Sequence, residues 1–353
     1  IVALLPAPRA AAHGNTHQHL HLAEISFETL DIDSGLSQNS VNAVLQDHRG
    51  FLWVGTQDGL NRYDGYGFQA YNYGLDDPFT LPQNFITDIL EDSGQRLWVG
   101  TLGGLCRYDR SLDRFIRIAV TEAASEEAKR LRISSMVEDA LGRIWVATDG
   151  NGLHRLDPDT DKLVAFRGPA STAPDSPLRS GSLRSLTVGE GDDLWIGSGR
   201  GLLRMSLQSR ECDWVAQLPD VDRVYFDRRG RLWAGTRASG VALFGGDGTL
   251  QQRFRASDAT NSLGSDVVRG FYEDRSGQLW IATRGGLHRF EEESRSFRQY
   301  RRNPLDAASL PDDRINVVYE DHAGVLWVGT ETAGLSRLVS TRNRFRHLRL
   351  IPE

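Results

Sequence analysis

The stretch Asp47–Gly65 reads DHRGFLWVGTQDGLNRYDG and sets bulky aromatic residues beside closely spaced glycines. Six near copies follow, beginning at Glu91, Glu138, Glu190, Asp227, Glu273 and Glu320. The copies centre on Trp53, Trp98, Trp145, Trp195, Trp233, Trp280 and Trp327, with separations of 45, 47, 50, 38, 47 and 47 residues. Of the eight tryptophans only Trp214 falls outside this register. Six copies carry an Asp six residues before the Trp: Asp47, Asp92, Asp139, Asp227, Asp274 and Asp321; Gly189 holds that place in the fourth. A glycine follows three or four residues before the Trp. Asp-x-x-Gly is a tight-turn signal, in which a carboxylate caps backbone N–H groups and glycine takes positive φ. The aliphatic–Trp–aliphatic run reads as a buried strand. Two residues past the Trp stands Gly or Ala, small enough for a neighbouring sheet to approach closely. Thr or Ser follows in all seven copies, and a short loop ending in Gly-Leu, or Gly-Val once, opens another strand.

Upstream runs such as VNAVLQD, ITDILED and INVVYED, and downstream runs such as FQAYN and FRQYR, have strand composition. Each repeat therefore predicts four short antiparallel strands, and repeats that cannot bury their own faces must stack. Four-stranded units of this length arranged radially form a β-propeller. The expectation is an all-β, seven-bladed propeller, with an open solenoid the competing arrangement. Two segments compete to complete the last blade beside Thr332–Leu338: SFETLD at Ser26–Asp31 and FRHLRL from Phe345. The sequence leaves that choice open. Thr121–Leu131 is the one convincing helix candidate, capped by Thr121.

A length of 353 residues suggests two or three domains, but the repeats make one. The expected division is a signal-peptide remnant with a flexible N-terminus over 1–25, the propeller over 26–345, and the start of a linker over 346–353. IVALLPAPRAAAHG reads as the end of an apolar export signal with a small-residue cleavage site near Ala10–Ala12, which predicts a periplasmic location. Net charge is −6 with no basic stripe, so nucleic acid is not an expected partner. Cys106 and Cys212 fall in blades two and four, too far apart to pair. No stretch reaches the ~18 apolar residues that span a bilayer.

The segment GLSQNSVNAVLQDHRGFLWVGTQDGLNRYDGYGFQAY closely resembles the two-component regulator propeller repeat, and all seven copies resemble it over roughly residues 27–345. Copy four departs by lacking its Asp, and copy five by GVALF in place of Gly-Leu-x-Arg. The resemblance implies the periplasmic sensor portion of a membrane-bound signalling protein. In that family a β-sandwich module, a membrane helix and a cytoplasmic effector usually follow. The effector is a histidine kinase or a diguanylate cyclase, and known signals are oligosaccharides.

The residue twelve before each Trp is aliphatic, and the next is polar in every copy: Asn42, Thr87, Ser134, Arg184, Asp222, Arg269 and Asn316. At the start of the innermost strand these residues are expected to ring one mouth of the central channel. A concave mouth with convergent polar groups is a default ligand site, against the plainer reading that a wet channel tolerates polar residues. Arg184 and Arg269 suit a carboxylate or sulfate through bidentate hydrogen bonds. Long connections from Asn72, Arg167 and Arg301 add Tyr73, Phe79 and Arg302 as candidate sugar or partner contacts. The arginines of Gly-Leu-x-Arg (Arg62, Arg107, Arg155, Arg204, Arg289 and Arg337) recur in nearly every blade, which argues for pairing within or between blades. His17, His19 and His21 alternate and fit a metal only if extended; no metal or cofactor is expected.

Glycoside hydrolysis needs paired carboxylates, and the ring offers only Asp222, with Asp88 one position along. No nucleophile elbow or phosphate loop is present. The expectation is therefore a ligand-sensing input module, not an enzyme, for an oligosaccharide or other small molecule. Its output passes beyond Glu353 to a membrane tether, and dimerisation supplies the coupling. A protein-interaction scaffold and a propeller lyase or quinoprotein-like enzyme are the alternatives.

Overall fold

The structure is a computed structural model and describes residues 25–121, 131–157, 160–166 and 177–340. It consists of seven four-stranded antiparallel sheets. The first sheet, Val41–Gln46, Leu52–Thr56, Gly59–Tyr63 and Phe68–Tyr71, sets the pattern of the next five. The seventh takes its three inner strands from Ile315–Glu320, Leu326–Thr330 and Leu335–Ser340 and its outer strand from Ile25–Leu30, with Phe27 opposite Leu338. The N-terminal segment thus closes the ring; the competing tail from Phe345 lies outside the described residues, as do most of the helix candidate at Thr121–Leu131, the histidines at 17, 19 and 21 and the signal-like segment. Among the described residues, helix is confined to the turns Ile32–Ser34 and Pro177–Ser180.

Each repeat tryptophan is buried and belongs to the apolar cluster of the following blade. Trp53 packs with Ile86, Ile89, Leu97 and Val99. Trp327 packs with Val41, Val44, Leu52 and Val54 of blade one, which completes the circle. The turn aspartate holds the indole in place. In six blades its Oδ2 accepts the Trp Nε1–H at 2.8–2.9 Å. Its Oδ1 accepts turn N–H groups, as from Arg49 at 3.0 Å and Phe51 at 3.1 Å. The buried carboxylate is therefore fully used. Gly50, Gly142, Gly230, Gly277 and Gly324 close these turns at φ of +71 to +90°. In blade two the glycine comes one residue early, at Gly94, and Gln95 takes the left-handed position at φ +60°.

The small residue after each Trp is a close-approach site. A Cβ on Gly55, Gly100, Gly197, Gly235 or Gly329 would lie 2.5–2.8 Å from the inner-strand aliphatic of the next blade. The Thr or Ser that follows donates its hydroxyl to the glycine carbonyl closing the hairpin, in all seven blades. The Gly-Leu-x-Arg arginines do pair locally. Arg62 donates to Tyr108 of the next blade at 3.0 Å, Arg107 reaches Asp161 at 3.3 Å, and Arg337 reaches Glu28 at 2.7 Å. The turn aspartates are engaged by the indoles instead.

A further series joins neighbouring blades. Glu91, Glu138, Glu273 and Glu320 accept the N–H that follows the previous blade's turn aspartate, at 2.7–2.9 Å. Gln46 does the same for His322 across the closing seam, at 2.6 Å. Val188 and Phe226 stand at this position in blades four and five, so the seams on either side of blade four lack the link.

Two measurements test this scheme. Asp92→Ala leaves an indole N–H and turn amides without their acceptor and is expected to destabilise by about 2–3 kcal/mol, read from urea unfolding. Gly189→Asp restores the repeat's own letter yet should also destabilise, because a Cβ there meets Trp195 Nε1 at 2.5 Å; a gain in stability would refute the packing described. For pH, burial holds the imidazoles of His154 and His288 down at about 4. The unfolded chain takes up those protons near 6.5, so their contribution is whole above pH 6.5 and falls as the pH drops towards 4. Asp88 opposes them: burial raises it to about 6, so the folded state gains a proton in the same range. Two groups outweigh one, and the urea midpoint should fall between pH 7 and pH 4.5. His154→Phe with His288→Gln should flatten that fall.

Candidate ligand site at the channel mouth

In every blade the register between the two innermost strands slips once, at the same place. Val41 pairs with Thr56 and Ala43 with Gly55, leaving Asn42 as the extra residue. Thr87, Ser134, Arg184, Asp222, Arg269 and Asn316 are the extra residues of the other six bulges. A bulge re-aims the side chain it carries. All seven side chains line one cavity of about 340 Å³, at the end of the channel that carries the blade-to-blade connections. Phe85, Arg132 and Ser182 of those connections, Gln57, Leu102, Asp149, Arg237 and Glu331 of the hairpins, and Ile133 and Arg223 of the inner strands complete the wall. Beneath lies a second space of about 220 Å³, floored by Val44, Ile89, Met136, Val224, Phe271 and Val318. The two spaces share Asn42, Thr87, Ser134, Arg184, Arg223, Arg269 and Asn316, so the channel is a polar mouth that narrows onto a mixed polar and apolar waist.

The ring is not uniform. The amides of Asn42 and Asn316 donate to Ile86 O and Val41 O at 3.1 Å and so stitch one blade to the next. The Thr87 hydroxyl is buried without a hydrogen-bond partner. Arg184 pairs with Asp220 at 2.9 Å. Asp222 is almost wholly buried under three guanidinium groups: Arg237 Nε at 2.7 Å, Arg269 at 3.5 Å and Arg223 at 3.7 Å. Burial pushes its carboxyl up, but Arg223, Arg237 and Arg269 prevail and hold it below the usual range. Arg269 is pulled down from the ordinary arginine range, first by burial and then by the like charges of Arg284, Arg223 and Arg237, against the pull of Asp222. Asp222 therefore organises arginines and offers no free carboxylate. Asp88 is likewise engaged, accepting the N–H of Met136 of the next blade at 2.6 Å and of Ile89 at 3.0 Å.

Tyr73, Phe79 and Arg302 do not line the cavity. Phe79 accepts the Phe115 N–H at 2.8 Å through its carbonyl, and its ring lies 4.1 Å from the Arg114 guanidinium. The Arg117 guanidinium lies 5.3 Å from the Tyr73 ring. This connection therefore covers the outer strand Arg114–Arg117 of blade two. The connection carrying Arg302 does the same for blade seven, where Ala308 O accepts the Phe27 N–H at 2.8 Å. Such cover blunts an open sheet edge. Of the connection from Arg167, only residues from 177 onward are described. No cluster of three metal-ligating side chains occurs among the described residues, and Cys106 and Cys212 are free thiols. Three arginines of the wall, Arg132, Arg223 and Arg237, were passed over by sequence reasoning. A signal existed for Arg223: its counterparts in the other copies are Ala43, Asp88, Ser135, Ser185, Gly270 and Val317, none of them a cation.

Residues 35–58, 80–103, 130–150, 262–285 and 309–332 match the family described as the two component regulator propeller. These segments lie in blades one, two, three, six and seven. Over 56 residues the chain is 46% identical to Histidine kinase P4 of Formosa agariphila, a stretch amounting to 16% of this chain and 4% of that protein. Among solved structures, the extracellular domain of BT3049 of B. thetaiotaomicron, described as a hybrid two component system, superposes with a TM-score of 0.74 at 24% identity, over 90% of this chain and 42% of that one. Virginiamycin B lyase of Staphylococcus aureus gives 0.67 at 12% identity, over 90% of this chain and 99% of that one. PorZ, a surface component of the type-IX secretion system of Porphyromonas gingivalis, gives 0.67 at 17% identity, over 85% and 46%. At such identities the structural likenesses show the propeller fold alone. The chain spans less than half of the BT3049 domain and a small part of the kinase. Five of the seven blades thus carry the repeat of the two component regulator propeller family.

Proposed function

We propose that this propeller is the extracytoplasmic, periplasmic sensor module of a membrane-bound signal-transduction protein, with a histidine kinase or diguanylate cyclase as its effector, and that it takes an oligosaccharide at the channel mouth. The observation that carries the reading is the ring of bulges, which delivers one polar side chain from each blade to a single concavity. Its volume of about 340 Å³ lies at the lower end of the roughly 300–1,000 Å³ range of ligand pockets. The similarity to a histidine kinase segment, and the fold shared with the extracellular domain of a hybrid two component system, support the same reading. The kinase is preferred over the cyclase on that ground. Thr87, Ser134, Arg184 and Arg269 are the side chains assigned to the ligand, with Asn42 and Asn316 holding the rim between blades. A ligand that binds two states of the module unequally shifts their populations, and a homodimer carries the shift across the membrane.

The reading is tested by thermal unfolding against a panel of oligosaccharides. A cognate ligand at about a hundred times its Kd contributes about 2.7 kcal/mol and should raise Tm by several degrees, with the sugar recovered unchanged. Arg184→Ala should reduce the rise. Consumption of the sugar would point to an enzyme, and a rise insensitive to every mouth substitution would place the site elsewhere.

A further inference from the structure

Building on the mouth as the ligand site, we propose that the ligand is anionic, a saccharide bearing a carboxylate or sulfate, and that Arg223, Arg237 and Arg269 hold the acidic group while Asp222 positions them. The charge balance around Asp222 leads to this. Three guanidinium groups reach one buried carboxylate, and no second carboxylate lies within 4.0 Å of any of them among the described residues. The other arginines of the wall are matched individually: Arg132 with Asp149 at 3.4 Å, and Arg184 with Asp220 at 2.9 Å. The blade-five and blade-six side of the mouth thus carries an excess of two positive charges, in a chain whose net charge is −6. The rim continues through the neutral Asn316, Asn42 and Thr87, and the one wall carboxylate on that stretch, Glu331 of blade seven, faces Arg284 at 3.3 Å.

Like charges this close are unfavourable unless something offsets them. The three arginines come from separate places: the inner strand of blade five, its second hairpin, and the bulge of blade six. No element of secondary structure forces them together. The Nε of Arg269 is buried without a hydrogen-bond partner. The site therefore holds an unmet donor beside surplus charge, inside a cavity that is open to solvent. An oxyanion meets both needs, since guanidinium forks bind carboxylate and sulfate in bidentate fashion. The rest of the rim, with the unpartnered Thr87 hydroxyl and the side-chain carbonyls of Asn42 and Asn316, suits the hydroxyls of a sugar.

The test is calorimetric titration of the whole chain at constant ionic strength with four probes: sodium sulfate, trigalacturonate, a sulfated trisaccharide and the neutral cellotriose. The expected result is that at least one acidic trisaccharide binds tenfold or more tightly than cellotriose, and that sulfate competes with it. Which of the two acidic sugars binds more tightly distinguishes carboxylate from sulfate. Arg237→Gln and Arg269→Gln should each lower that affinity tenfold or more. Arg255→Gln, an exposed arginine outside the cavity, should not. The competition by sulfate needs no variant and so stands even if a substitution impairs folding. Cellotriose binding as tightly as the acidic sugars overturns the anion assignment and leaves the mouth as a saccharide site. An acidic preference that survives both substitutions moves the anion elsewhere and overturns the assignment to these arginines. Failure of all four probes overturns this proposal and the mouth as a saccharide site together.

Discussion

The hydrogen bond from the indole N–H to the turn aspartate is the constraint on which the ring depends. One carboxylate fixes two things at once: the shape of the tight turn through Oδ1, and the tilt of the tryptophan through Oδ2. The indole is then presented to the next blade, where it fills the gap left by a glycine that admits the neighbouring aliphatic side chain. A local turn thereby sets an inter-blade distance. Repeating it around the circle fixes how far each sheet is rotated from the last, and seven such steps return the chain to blade one.

Much of this was legible because it repeats. The tryptophan register, the Asp-x-x-Gly turn and the small residue after each Trp each appear often enough to separate signal from accident, and their physical roles are as read. The polar ring was legible for the same reason, although nothing in the letters announced that each of its members is a bulge. That depends on a backbone register visible only once the strands are paired. What did not repeat was not read. Arg223 occurs at its position in one blade and Arg237 shares its position only with Arg284, and the cluster they form with Arg269 around Asp222 links a strand, a hairpin and a neighbouring blade. The aromatic residues Tyr73 and Phe79 were placed at the mouth because their connection starts and ends there. Its middle instead runs over the flank of blade two, where Phe79 pairs with an otherwise open strand edge. Closure was undecidable from sequence because both chain ends offer a strand of suitable pattern, and the winning pairs are more than three hundred residues apart.

Equal backbones do not make equal seams. Blade four lacks the turn aspartate, and both of its seams lack the glutamate or glutamine link that joins the other blades. The same part of the ring borders the arginine cluster. Ordinary repeat chemistry is thus concentrated in blades one, two, three, six and seven, the segments that match the family. The departures gather where the candidate site is most asymmetric. A ring of identical units has no preferred direction, and a ligand with distinct ends needs one; the irregular sector supplies it.

The shared seventh blade has a mechanical meaning. Ile25 lies opposite Ser340, so the described segment enters and leaves the sheet at the same end of one strand pair. A tug that separates those two residues loads the ladder rung by rung and peels Ile25–Leu30 away like the tab of a zip, a geometry far weaker than sliding two strands past each other. The propeller is therefore a clasp, stronger against sliding than against tension between its own ends.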